Sequence, residues 1–192
     1  SLRIDAATRD AALSKFGLTL DRPVLALCPG AEFGESKRWP AEHYAKVAET
    51  RIRQGWQVWL FGSKNDHAVG ESIRDRLIPG LREEAVNLSG DTSLAEAIDL
   101  MSCADAVVSN DSGLMHVAAA LNRPLVAVYG STSPGFTPPL ADKVEIVRLG
   151  IECSPCFDRT CRFGHYNCMR QLEPTPVVEA LERLGGTPVE VI

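Results

Sequence analysis

At 192 residues, 45% hydrophobic and 23% charged, the chain has the size and apolar content of one globular domain and is neither disordered nor fibrous. No apolar run approaches the roughly 20 residues a membrane-spanning helix needs, so no transmembrane segment is expected. A formal net charge of −5 argues against a nucleic-acid partner, but it leaves room for an anionic small molecule held by a few local cations and backbone N–H groups.

The first stretch, "SLRIDAATRDAALSKFG", is charged and amphipathic and lacks the apolar centre and cleavage site of a signal peptide. With Ser rather than Met at position 1, residues 1–22 read as a linker or leading helix in a piece cut from a longer cytosolic protein, and residues 23–192 as a ligand-binding domain. Apolar, β-branched runs at Pro23–Cys28, Trp56–Gly62, Ala85–Gly90, Asp105–Asn110, Pro124–Gly130 and Lys143–Leu149 predict strands of the doubly buried kind. Helical spacing fills the gaps. Pro40 suits a first turn and is followed by Tyr44, Val47, Ala48 and Ile52 on one face, and further helices are expected at Asn65–Leu77, Ser93–Met101 and Leu114–Leu121. The alternation predicts an α/β fold, a Rossmann-like open parallel sheet with helices on both faces. Residues 150–176 read as an irregular loop rich in Cys, Arg and Pro, and Val177–Leu184 as a closing helix stopped by Gly185-Gly186.

Three polar loops fall at predicted strand ends, where open α/β sheets bind ligands. The first, Asn110-Asp111-Ser112-Gly113, leads straight into a helix whose free N–H groups and positive dipole end suit a phosphate. Asp111 or Ser112 could instead be an ordinary N-cap, worth about 1 kcal/mol. His116, in the first turn of an otherwise apolar helix, calls for a partner in a site or in the core. The second loop, "CPGAEFGESKRWP", offers Gly30 and Ala31, then Lys37 and Arg38. It has neither Walker A nor Gly-x-Gly-x-x-Gly spacing, and the basic pair could simply be solvated. The third, "LFGSKND", supplies Gly62, Ser63 and Lys64. Together the three loops support a phosphate-bearing ligand without naming it.

The motifs "PGAEFGESKRWP", "SNDSGLMHVAAAL" with "RPLVAVYGSTSP", and "CSPCFDRTCRFGHYNCM", in this order from Pro29 to Met169, resemble the ADP-heptose:lipopolysaccharide heptosyltransferases. The resemblance implies the C-terminal domain of a GT-B glycosyltransferase, with ADP-heptose as donor, the lipopolysaccharide inner core as acceptor, and no cofactor. By the same resemblance Ser112 and Gly113 would hold the diphosphate with their backbone, with Asp111 and His116 near sugar and phosphate. Lys37 would stabilise the leaving ADP, and Gly62–Lys64 would lie nearer ribose and adenine. The acceptor domain and its general base would precede Ser1, so this chain would bind donor without catalysing transfer. The complete enzyme would work in the cytoplasm, with peripheral association at the inner face of the inner membrane. Phe33 stands where relatives can carry a small hydroxyl residue.

The spacing Cys153-x2-Cys156-x4-Cys161-x6-Cys168 is rich enough for a structural zinc site, with His165 as a competing ligand. A disulfide pair is a second reading. Reduced thiols holding an irregular loop are preferred over both. Two rival functions stay open at this point. They are a non-catalytic, metal-stabilised interaction module and a nucleotide-sugar epimerase-like domain.

Overall fold

The computed structural model describes residues 2–31, 34–132 and 142–185. In chain order the elements are α1 (Ala6–Lys15), β1 (Val24–Cys28), α2 (Ala41–Arg53), β2 (Gln57–Leu60), α3 (His67–Asp75), α4 (Pro79–Arg82), β3 (Ala85–Asn87), α5 (Leu94–Met101), β4 (Ala106–Asn110), α6 (Gly113–Ala120), β5 (Leu125–Tyr129), β6 (Val144–Arg148), α7 (Asn167–Arg170) and α8 (Pro174–Arg183). The strands form one parallel sheet of six in the order β3-β2-β1-β4-β5-β6.

Period-two side-chain alternation explains why both faces are covered. Along β1, Leu25 and Leu27 pack on one face with Val47 and Ala48 of α2 and Val177 and Leu181 of α8. Val24, Ala26 and Cys28 pack on the other with Ala12 of α1, Leu100 of α5 and Met115 and Ala118 of α6. Every residue of β1, β4 and β5 is buried, as expected of central parallel strands. Helix α1 belongs to this packing. Asp5 caps it, and Lys15 reaches Glu96 of α5 at 2.8 Å.

Local chemistry sets the helix ends. Ser93 and Glu96 form a reciprocal capping box at the start of α5, with bonds of 3.1 and 2.9 Å. The stretch expected as one helix from Asn65 splits, because a tight 3-10 turn over Lys64–Asp66 precedes α3. The 150–176 segment is more ordered than expected: Asn167–Arg170 forms a helical turn, and α8 begins at Pro174. Proline there stops nothing, since the first turn of a helix has no N–H to lose. Among the described residues no helix is long and apolar enough to cross a membrane.

The chain runs from β1 outward through β2 to β3, then returns to place β4 on the other side of β1. The switch point therefore lies between the carboxyl ends of β1 and β4, at Cys28 and Asn110.

Candidate functional site

Asn110, fully buried, ties the two sides of the switch point together. Its amide nitrogen donates to the Pro29 carbonyl at 2.6 Å, and its oxygen accepts from the Tyr44 hydroxyl at 2.6 Å and the Trp39 N–H at 3.3 Å. Burial pushes the Tyr44 phenol well above its ordinary range, so it stays a neutral donor. The Trp39 indole N–H is anchored in turn on the Leu172 carbonyl at 2.7 Å. Both ends of the loop between β1 and α2 are thus fixed from inside the core.

Asp66 sets the next contour. Its buried carboxylate accepts from the Ser63 N–H at 2.8 Å and the Ser63 hydroxyl at 3.0 Å. Gly30 and Gly62 lie directly against it: a Cβ on Gly30 would come within 2.4 Å of the Asp66 carboxylate oxygens, and one on Gly62 within 2.7 Å of the Asp66 Cβ. These two glycines let the loops after β1 and β2 close over one aspartate, a packing reason that anion binding does not require.

Above this floor lies a cavity of about 460 Å³. Gly30, Ala31, Gly62, Ser63, Ser112 and Gly113 line its polar side, joined by Thr92 and Ser93, and Leu94, Ala97, Leu114 and Val117 form an apolar wall. All three strand-end loops therefore meet at one site.

Asp111, 3% exposed, pairs with Lys37 across the switch point, Oδ2 to Nζ at 3.1 Å, and accepts the Thr132 hydroxyl. Lys37 is itself only 13% exposed and projects from a 3-10 turn over Glu35–Lys37. The cap alternative fails on geometry. Ser112 occupies the N-cap of α6 but makes no side-chain capping bond, its hydroxyl lying instead 3.3 Å from that of Ser109. The first turn of α6 thus opens on the cavity, and space is open where a Cβ on Gly113 would stand.

Two expected residues are exposed. His116 stands on α6 and, like Lys37 and Asp111, is not among the cavity's lining residues. Lys64 is exposed on the 3-10 turn, its Cα backed by Gly90. Phe33 lies outside the described residues. Conversely, Asp66, Thr132 and the apolar wall escaped sequence reasoning. The Ser63-x-x-Asp66 spacing of a capping box was a usable signal for Asp66.

The cysteine segment touches the site from outside. The Ser36 N–H donates to the Arg159 carbonyl at 3.1 Å, and its hydroxyl donates to the Asp158 carbonyl. Gly34, at φ +149°, comes so close that a Cβ would lie 2.4 Å from the Arg159 carbonyl oxygen. The turn bearing Lys37 is therefore clasped by this segment. Its four cysteines are free thiols, so the disulfide reading is not met. Among the described residues no three His, Cys, Asp or Glu side chains are placed to hold a metal ion.

A parallel sheet in this order, its loops gathered over a cavity at the switch point, defines a Rossmann-like domain of the GT-B glycosyltransferase class. Sequence comparison goes further, and the chain belongs to glycosyltransferase family 9, the heptosyltransferases, whose profile matches residues 1–167. Lipooligosaccharide heptosyltransferase 2 of Haemophilus influenzae is 56% identical over 152 residues, covering 77% of this chain and 44% of that protein. Lipopolysaccharide heptosyltransferase 2 of Escherichia coli is 43% identical over 183 residues, 95% of this chain and 53% of the relative. A solved structure of E. coli ADP-heptose LPS heptosyltransferase II superposes with a TM-score of 0.86 at 43% identity, covering 96% of this chain and 53% of that one. The chain spans about half the length of the curated relatives it matches.

Proposed function

We propose that this chain is the donor-binding part of an inverting heptosyltransferase that moves heptose from ADP-heptose to the inner core of lipopolysaccharide. The observation that carries the reading is the meeting of Gly30 and Ala31, the Gly62–Ser63 loop and the open first turn of α6 around one cavity at the switch point, with the Lys37–Asp111 pair just ahead of the α6 N-cap. The mostly apolar lining suits a base and ribose, and the open first turn of α6 suits a diphosphate. The names of the relatives support heptose as the sugar and lipopolysaccharide as the acceptor.

In such a transfer an acceptor oxygen attacks the anomeric carbon as the bond to the diphosphate breaks, so negative charge grows on the departing ADP. Fixed N–H groups at the start of α6 and the Lys37 ammonium are donors for that charge. Ser63 and Ser112 add polar contacts on the cavity wall. Asp111 holds Lys37 in place and stands beside the sugar. We assign acceptor binding and the general base to the half of the relatives that this chain does not match, and the site of action to the cytoplasmic face of the inner membrane. No cofactor is needed for this chemistry.

The test is heptose transfer by the complete protein, comparing wild type with Lys37→Ala. Loss of one positioned donor to the leaving group should lower kcat/KM by roughly 100- to 1,000-fold while the fold persists. Transfer at the wild-type rate would remove Lys37 from the reaction.

A further inference from the structure

The 3-10 turn over Glu35–Lys37 and the residue that ends it send two neighbouring cations to different places. Lys37 reaches Asp111 at the switch point, whereas Arg38 lines a separate cavity of about 340 Å³ with Glu35, Pro40, Tyr166 and Arg170. This second cavity forms where the 150–176 segment closes on the loop after β1. None of its five lining residues borders the donor cavity.

Two arginines lining one small space repel each other unless an anion offsets them. Among the described residues neither Arg38 nor Arg170 makes an ion pair. Glu35, the carboxylate on the same lining, accepts instead from the Tyr166 hydroxyl at 3.3 Å. Arg38 Nε is buried and has no hydrogen-bond partner among the described residues. A charged donor in that state is costly, and an oxyanion engaging the guanidinium fork would relieve it. Tyr166 gives an independent sign. It takes φ +51° and ψ +31°, the left-handed region that strains a non-glycine residue and that proteins keep where function requires it. From there its carbonyl accepts the Arg170 N–H at 2.8 Å, and the Arg170 guanidinium lies 5.3 Å from the centre of the Tyr166 ring. Cation–π attraction steadies the guanidinium without using its N–H donors.

We propose that Arg38 and Arg170 form an acceptor-side subsite for an acidic sugar, one bearing a carboxylate or a phosphate. The oxyanion takes the two guanidinium forks, and Glu35 and the Tyr166 hydroxyl exchange hydrogen bonds with the hydroxyls of the sugar. Pro40 and the Tyr166 ring offer an apolar surface to its C–H face. Two arginines and one carboxylate give the lining a formal charge of +1, which suits a single oxyanion and disfavours a polyanion. Because Arg38 follows Lys37, a sugar held here lies beside the donor and not in its place. That this sugar belongs to the acceptor rests on the transfer reading above, but its binding does not.

The test has a binding arm and a kinetic arm, both on the complete protein. In calorimetry without ADP-heptose, glucuronate or glucose 6-phosphate should bind saturably and more tightly than glucose, and Arg38→Gln or Arg170→Gln should weaken that binding roughly 10-fold. The tighter of the two acids tells carboxylate from phosphate. In transfer assays the Arg38→Gln/Arg170→Gln double variant should raise the acceptor KM roughly 10-fold or more, with kcat and donor KM nearly unchanged. That gap to wild type should close on an acceptor whose acidic groups have been amidated or dephosphorylated. Arg38→Lys, which keeps the charge but not the fork, should recover only part of the loss. If the glutamine variants fail to fold, the wild-type preference for an acidic sugar over glucose decides the matter. Equal affinity for glucose and both acids, or a KM rise that persists on the neutralised acceptor, would overturn the proposal. Acidic-sugar binding in a protein that transfers no heptose would uphold the subsite and overturn the transfer reading instead.

Discussion

Lys37 and Asp111 form a buried pair whose two ends come from opposite sides of the switch point. Such a pair adds little to stability against an apolar alternative, but removing one partner strands the other. Asp111→Ala should therefore cost about 1.5–3 kcal/mol, from the lost Lys37 and Thr132 bonds. Asp111→Asn keeps an acceptor for Thr132 and should cost less. Lys37→Ala should weaken ADP by about 1.5–3 kcal/mol more than adenosine, because only the diphosphate loses a charged partner. Urea unfolding and calorimetry on the single and double variants would show whether the two residues act as a unit, and equal losses for ADP and adenosine would confine Lys37 to a loop-supporting role. At this scale the sequence singled out Lys37 and Asp111 but not their relation. Lys37 and Asp111 are 74 positions apart, and only the return of β4 beside β1 brings them into contact. For His116 the sequence did not show its exposure. A helix of eight residues has an outer face whatever its composition, and His116 lies on it.

The loops after β1 and β2 share Asp66 as a floor, and this gives the glycines a measurable role. Gly30→Ala must push the Asp66 carboxylate aside and break its bonds to Ser63, at a cost of about 1–3 kcal/mol and with weaker ADP binding. In an Asp66→Ala background the same substitution should cost far less, because the clash is gone. Additive losses across that cycle, read from urea midpoints, would show that the glycine acts independently of Asp66. Strands were legible at this scale because β1, β4 and β5 are apolar on both faces, a pattern that composition alone betrays. Helix boundaries were less so. Pro174 and Pro176 fell within the stretch read as an irregular loop, though they sit in the opening turn of α8, and the 3-10 turn before α3 depends on a Ser63–Asp66 exchange that periodicity does not register.

For the molecule as a whole, the parallel order β3-β2-β1-β4-β5-β6 makes one edge of the sheet a meeting place, and every loop expected to bind ends there. The alternation of strands and helices was enough to predict that edge. The apolar wall of Leu94, Ala97 and Val117 was not, because residues of α5 and α6 face one another only once both helices lie on the sheet. That wall and the open first turn of α6 are the features on which we propose a nucleoside-diphosphate site, with ADP as the nucleotide. The most direct measurement is calorimetric titration of the purified chain with ADP, UDP and GDP under one set of conditions. Saturable binding of ADP, at least several-fold tighter than either alternative and weakened by Lys37→Ala, is the predicted result. No heat from ADP at millimolar concentration, or equal affinity for all three diphosphates, would contradict the assignment of this cavity to the heptose donor.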